Sequence, residues 1–486
     1  MDNEAGETDD RPMKLLANRP AAPSPTLGLI AICLGFLMIT LDATIVNVAL
    51  GPIGNDLGGT VSTAQWIVNG YTLAFAALLL SAGALADRLG LRTGFLVGLA
   101  VFALGSAACA GATSLAELIV ARGVQGAGAA ALMPCSLALI AHMFPDSGDR
   151  RRALALWGGA SGIGLAAGPV LGGILTASLG WRAIFLVNVP IAATAAVLLR
   201  GHVEQTPRHR QPLDLPGQVI ATAGLAALTG GFIVAGSRGW DGRLTLALLA
   251  AGVASAAAFA LVERAVKDPM VDPVLFRERT FSVAVALGVI FNFCLYGSIF
   301  CLAIDLHRAR GLDPLDTGLA LLPMTIVTGA MAFLSGRLVG RIGEWPAIVV
   351  GLSAGAGGAL LISLTPTRGV TALIVSSLSV GVTALAMPAM TAVAMGHAPP
   401  ERLGLASGVF NAARQTGGAL GVAVLGALLT SGSGYIALHA AFVATAGAYA
   451  GGIVLALTGW RRTRSIARVR TRTQSPPPPV RRTPTS

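Results

Sequence analysis

The sequence predicts an all-α polytopic membrane protein of fourteen transmembrane helices, arranged six plus two plus six. Of its 486 residues, 54% are hydrophobic and 12% charged, with a mean hydropathy of +0.72. A soluble domain carries about twice that charge. Apolar stretches longer than ~18 residues recur along the chain, enough to cross a bilayer as helices. They do not alternate, which excludes a barrel. The chain also repeats itself. Gly83, Leu85, Arg88 and Gly90 recur as Gly336, Leu338, Arg341 and Gly343, 253 residues on; Met133-Pro134 and Pro145 recur as Met387-Pro388 and Pro399, 254 residues on. Residues 27–200 hold six helices, so this offset leaves room for two more before the second repeat begins.

Hydropathy breaks place helices at 27–49, 65–86, 94–112, 115–140, 153–177, 183–200, 216–236, 244–262, 281–304, 316–340, 346–364, 370–395, 403–430 and 436–459. With the N-terminus inside, 26 of the 34 Lys and Arg fall on inner segments and six on outer ones, while Arg122 and Arg414 fall within helices. The positive-inside rule then puts both termini in the cytoplasm. The expected division is a cytoplasmic tail over 1–26, a six-helix bundle over 27–200, a linker with two extra helices over 201–280, a second six-helix bundle over 281–460 and a basic, Pro-rich cytoplasmic tail over 461–486. The acidic N-terminus shows no cleavable signal, and the first helix is too long for a signal core.

Net charge is +11 and the isoelectric point about 10.4. Topology explains this without nucleic acid: the basic tail suits the anionic inner leaflet. Five cysteines, Cys33, Cys109, Cys135, Cys294 and Cys301, lie in apolar segments and read as small core residues. Neither metal-ligand spacing nor a phosphate loop nor a nucleophile elbow occurs, so no enzyme and no cofactor beyond a proton gradient is expected.

Asp42 is the only charge between Thr26 and Leu50. A carboxylate in hydrocarbon costs several kcal/mol (about 2–7 for a polar group, more for a charge) unless paired, hydrated or protonated. The bland reading is a hydrated acid near the interface. Depth speaks against it: at 1.5 Å per residue, Asp42 lies roughly 22 Å along a core ~30 Å thick. Arg122, in helix four, reaches roughly the same layer from the other direction. Its bland reading is a tie to backbone carbonyls; its functional one is tuning of Asp42. A direct pair would favour the carboxylate and desolvation the neutral acid.

These segments together resemble the major facilitator superfamily, and within it the fourteen-helix drug:proton antiporters, over about residues 27–460. LDATIVNVAL (41–50), GALADRLGLR (83–92), RGVQGAGAA (122–130), GLAAGPVLGG (164–173), WRAIFLVNVP (181–190) and ERLGLASGVFNAARQTGGALG (401–421) match the family's motifs in order. The resemblance implies a conformational latch at Gly83, Asp87, Arg88 and Gly90, with Asp87 capping a second-half helix such as helix thirteen. Leu91 replaces a usual basic residue there, and Gly340 stands where the second repeat would carry its acid. Gly164, Gly168, Pro169, Gly172 and Gly173 match the motif that marks exporters against importers. Small residues at spacings of four let a helix approach closely, and plain tight packing is part of the explanation. Arg414 lies near mid-membrane and divides evenly between a structural hydrogen bond and a cavity role. Asp305 and His307, where relatives often have Tyr and Gln, are read as vestibule residues, since Asp305 maps onto Pro52 at the outer mouth.

The expected function is proton-coupled export of an antibiotic or other toxic small molecule from a bacterial inner membrane by a monomer, with protons, drug and lipids as partners. Only two Lys among 34 basic residues suggests a GC-rich bacterial gene, in which self-resistance of an antibiotic producer is plausible by analogy. A same-fold importer or symporter is the first alternative. A receptor or scaffold is the second, and it would have no use for buried Asp42 and Arg122.

Overall fold

The computed structural model describes residues 24–208, 214–266, 269–364, 369–399, 402–430 and 435–473, without the side chains of Asp87, Ser147 and 464–473. The N-terminal tail up to residue 23 and the Pro-rich end beyond 473 lie outside the described residues. Those residues contain fourteen helices long and apolar enough to cross a membrane: α1 Pro25–Leu57, α2 Val61–Ala86, α3 Leu91–Gly111, α4 Leu115–Met143, α5 Gly148–Leu179, α6 Ala183–His202, α7 Leu215–Arg238, α8 Arg243–Ala265, α9 Arg279–Ala309, α10 Pro314–Ile342, α11 Glu344–Ser363, α12 Val370–Gly396, α13 Leu403–Thr430 and α14 Tyr435–Thr463. Polar residues start several of them by accepting a free backbone N–H of the first turn: Ser114 from Glu117, Asp214 from Gly217 and Asp313 from Asp316.

The packing is repetitive. Helix α1 packs on α5 as α9 packs on α13; α2 and α3 pack on α4 as α10 and α11 pack on α12; α6 lies on α1 and α3 as α14 lies on α9 and α11. Each pairing recurs eight helices later, which is the 253-residue repeat in three dimensions. Glycine makes the closest pairings possible. Gly164, Gly168 and Gly172 press onto α1, where a Cβ on Gly172 would stand 2.7 Å from the Ile45 carbonyl oxygen. In the second repeat Gly417 and Gly421 press onto α9, where a Cβ would collide with the carbonyl oxygens of Val289 and Phe293.

The two repeats meet along α5 with α10 and along α2 with α13, again a symmetric pair. Helix α7 packs against α2 and α13, and α8 packs outside α7 with little of its surface buried. Gln218 of α7 donates to the Ala77 carbonyl of α2 (2.8 Å). The segment between α8 and α9 is tied to both sides: Val271 N–H donates to Glu263 (2.9 Å), and Asp272 pairs with Arg402 just before α13.

Contact between the repeats is uneven along the membrane normal. At the end where α1 finishes, Gly173 of α5 abuts Pro314 and Leu315 of α10, Gln65 of α2 donates to the carbonyls of Val422 (3.0 Å) and Ala423 (2.8 Å) of α13, and Arg308 reaches the Gly59 carbonyl (3.4 Å). Midway, Gly162 and Gly329 are in contact. Toward the end that carries the chain termini, a Cβ on Gly158, Gly159, Gly336 or Gly340 would meet nothing within 4 Å. Between α5 and α10 the contact is close at one end and opens toward the other, while α2 and α13 also meet near the terminal end, where Leu80 lies against Gly408.

Candidate functional site, a sealed ion-pair cluster

Five helices of the first repeat converge on Asp42. Arg122 of α4 donates from Nη1 to Asp42 Oδ2 at 2.5 Å, and neither side chain has measurable exposure. Two neutral amides complete the shell: Gln125 Nε2 donates to Asp42 Oδ1 at 2.7 Å, and Asn188 Nδ2 donates to the same oxygen at 3.0 Å. Gln125 also accepts from Arg122 Nη1 (2.7 Å) and donates to Ser106 of α3 (2.8 Å). The Nε of Arg122 donates to the Ile67 carbonyl of α2 (3.2 Å), and its guanidinium lies over the Tyr71 ring, 4.5 Å from the centroid, with Phe185 at 5.8 Å.

Local sequence explains the placement. Arg122 and Gln125 are three residues apart, so they share a face of α4. The glycines of RGVQGAGAA thin the helix around them. Gly126 sits against the Tyr71 carbonyl and Gly128 against the backbone of Phe102, which brings α2 and α3 within reach. Asn188 begins the longer part of α6, just after a break at Val187 that separates Ala183–Leu186 from Asn188–His202.

The cluster pairs one anion with one cation, and the carboxylate accepts three hydrogen bonds. Breaking such a buried pair by removing one partner costs about 3–5 kcal/mol, because the other charge stays buried. Arg122 Nη2 is buried without a described partner, so the guanidinium is not saturated. The arrangement holds a carboxylate and a guanidinium in one sealed, hydrogen-bonded unit.

The other sequence-derived residues fall elsewhere. Gly90 closes the α2–α3 turn at φ +84°, a conformation suited to glycine. The described hydrogen bonds of that loop stay within the region before α7: Leu91 N–H to Thr206 (2.7 Å), Arg92 to the Arg200 carbonyl (2.9 Å), and Gln205 to the Leu89 carbonyl (3.0 Å). The Asp87 side chain, expected to cap a second-half helix, lies outside the described residues. Pro169 sits inside an unbroken α5, and its carbonyl oxygen is pressed against Gly318 of α10.

Asp305 and His307 lie at the outer end of α9, beside α1 near Pro52. Asp305 is only 6% exposed, on a π-helical turn at Asp305–Ala309 that ends α9, and it pairs with Arg310 (Nε to Oδ2, 2.8 Å). The wider turn brings the carboxylate onto Arg310, five residues on in its own chain. The His307 ring rests on Gly51 of α1 and its Nδ1 is 2.9 Å from the Leu312 carbonyl. Arg414 is half-buried in α13, beside Asn411 and Met387.

The sequence profile of the Major Facilitator Superfamily matches residues 32–422, with a second match over 285–484. The chain belongs to the major facilitator superfamily. Members of this superfamily are transporters and not enzymes. The chain is 38% identical over 407 residues to the multidrug resistance protein Stp of Mycobacterium tuberculosis, covering 83% of this chain and 76% of Stp. It is 37% identical to the methylenomycin A resistance protein of Streptomyces coelicolor (83% of this chain, 85% of the relative). It is 36% identical to the tetracenomycin C resistance and export protein of Streptomyces glaucescens (87% and 80%). The crystal structure of the human organic anion transporter MFSD10 shares the major facilitator fold, with a TM-score of 0.59 at 18% identity over 89% of this chain and all of that one. This is a multi-pass major facilitator transporter related to bacterial drug and antibiotic resistance exporters.

Proposed function

We propose that the protein is a proton-coupled exporter of an antibiotic or another toxic small molecule, in a bacterial inner membrane with both termini in the cytoplasm. The observation that carries this reading is the sealed Asp42–Arg122 pair in a chain whose relatives include resistance and export proteins. Relatives named for methylenomycin A and tetracenomycin C support the finer reading of self-resistance in an antibiotic producer.

With the termini inside, the end at which α5 and α10 draw apart faces the cytoplasm. Drug reaches the space between the repeats from there while Asp42 is ionised and held by Arg122. The repeats then rock, the outer end opens, drug leaves, and a proton from outside neutralises Asp42. Protonation breaks the charge pairing and frees Arg122, the repeats return to the inward-facing shape, and Asp42 releases its proton to the cytoplasm as drug binds; differential affinity of proton and drug for the two shapes is what couples them. A short chain of contacts links the acid to the moving boundary. Arg122 holds the Ile67 carbonyl, and two residues earlier on α2 Gln65 holds the carbonyls of Val422 and Ala423 on α13. On the other side, Thr44 of α1 lies against Gly168 of α5, whose neighbour Pro169 lies against Gly318 of α10.

The test is accumulation of a panel of antibiotics and dyes in energised inverted vesicles, with and without a proton uncoupler. Accumulation of at least one compound that the uncoupler abolishes is expected; accumulation indifferent to the uncoupler would contradict proton coupling.

A further inference from the structure

The second repeat holds a cation that its surroundings leave unbalanced. Arg414 lies eleven residues into α13, roughly 16 Å along a helix that spans a ~30 Å core. Its Nη1 donates to the neutral Asn411 Oδ1 at 3.2 Å, its Nη2 to the thioether sulfur of Met387 at 3.5 Å, and its Nε is buried with no partner. No described ion pair includes it. The helices around it contain no acid over residues 281–304, 370–396 or 403–430. Asp42, the acid at comparable depth in the first repeat, is already taken by Arg122.

The contrast with Arg122 is informative. That arginine is fully enclosed, faces a carboxylate, and has a structural reason to be there. Arg414 keeps its charge in the middle of the membrane with only weak acceptors, and an arginine does not shed that charge by deprotonating. Such a group is retained where a ligand supplies the missing anion. Aromatic side chains stand near it. The Phe410 ring lies 5.8 Å from the guanidinium carbon, Gly288 of α9 makes room for the arginine stem, and Tyr296, two turns on from Gly288, packs on Gly418. Asn292, between Gly288 and Tyr296 on the same stripe of α9, has a buried Oδ1 with no partner.

We propose that Arg414 binds an acidic group of the transported compound, so that the substrates of this exporter include aromatic or conjugated organic anions such as carboxylates. The guanidinium provides two parallel N–H donors for a carboxylate, the Met387 sulfur and the Asn411 amide yield their places to it, and Phe410 and Tyr296 flank the ring system. The pair that forms is neutral overall. It lets an anion cross a low-dielectric interior together with a fixed cation, in a repeat separate from the one that carries the proton. This rests on the exporter reading above.

The experiment uses a coumarin carboxylate, its ethyl ester and the cationic dye rhodamine, in two measurements on the full chain. The first is thermal stabilisation of the purified protein in detergent; the second is uncoupler-sensitive accumulation in inverted vesicles. In the wild type the carboxylate is expected to stabilise the protein and to accumulate, with the ester binding more weakly. Arg414→Gln should weaken carboxylate binding roughly tenfold or more while leaving ester binding unchanged, and Arg414→Lys should restore part of it. The proposal is overturned if the carboxylate does not bind, if ester or rhodamine binds as well as the carboxylate, or if Arg414→Gln weakens all probes equally. Arg414-dependent binding of the carboxylate without proton-driven accumulation would sink the exporter reading and keep the anion site. Proton-driven accumulation of ester or rhodamine alone would do the reverse.

Discussion

Asp42 and Arg122 sit 80 residues apart in sequence and 2.5 Å apart in the folded chain, both sealed from solvent at the convergence of five helices. Neither is tolerable in hydrocarbon alone, and together they form a neutral unit that a single proton unbalances. On the proposed reading, protonation of Asp42 is what the pair responds to.

Removing one member leaves the other buried and charged. Arg122→Gln and Asp42→Asn should each lower the melting temperature of the purified protein, by an amount corresponding to up to about 3–5 kcal/mol. The double substitution should be less destabilised than the sum of the two singles, because residues in one network do not add. Strict additivity in thermal unfolding would show that the two charges do not interact.

Gln125 and Asn188 hold the carboxylate from its other side. Gln125→Met and Asn188→Leu keep approximate volume and remove the amide donors, each hydrogen bond to a charged group being worth about 1.5–3 kcal/mol. Both variants should fold and should transport more slowly, by roughly an order of magnitude if the lost bond is felt only in one conformational state. Transport rates equal to wild type in both would remove these amides from the functional site.

The glycines make a positional prediction. Gly168→Val should prevent close packing of α1 on α5, and Gly421→Val that of α9 on α13, since a Cβ collides in both places. Gly158→Ala, nearly three helical turns before Gly168 on α5 with open space around it, should be neutral. Yield of folded protein by size-exclusion chromatography separates the two classes. A well-folded Gly168→Val variant would mean that the α1–α5 approach is not needed.

Much of this was legible in the sequence, and for a physical reason. The length of an apolar helix is a one-dimensional property, so fourteen spans could be counted from hydropathy and were found at nearly the same positions. Rigid rise per residue also places Asp42 and Arg122 in one layer. Gln125 was missed although its spacing of three from Arg122 was a usable signal. Asn188 had no such signal, because its direction depends on the break at Val187. The pairing of Asp305 with Arg310 could not be read from the sequence, because it depends on a π-helical turn. The partners of Leu89 and Leu91, Gln205 and Thr206, lie in the non-helical chain at 203–208, where periodicity has nothing to say.

Rocking of the repeats can be tested by joining them. Gly162 and Gly329 face each other across α5 and α10, with a Cβ on Gly162 about as close as 3.7 Å to the Gly329 Cα. In a background without the five native cysteines, Gly162→Cys with Gly329→Cys should form a disulfide, since the geometry falls near that required. Oxidation should arrest transport and reduction restore it. Full transport by the cross-linked protein would show that these helices do not separate during the cycle.

The most direct test of the role given to Asp42 is proton movement itself in inverted vesicles carrying Asp42→Asn. Addition of a transported drug to wild-type vesicles should release protons from the acidified lumen, seen as recovery of a quenched pH-sensitive dye. The Asn variant should show no drug-induced proton release, yet still exchange labelled drug for unlabelled drug down its own gradient. Wild-type proton release in Asp42→Asn would contradict the assignment outright.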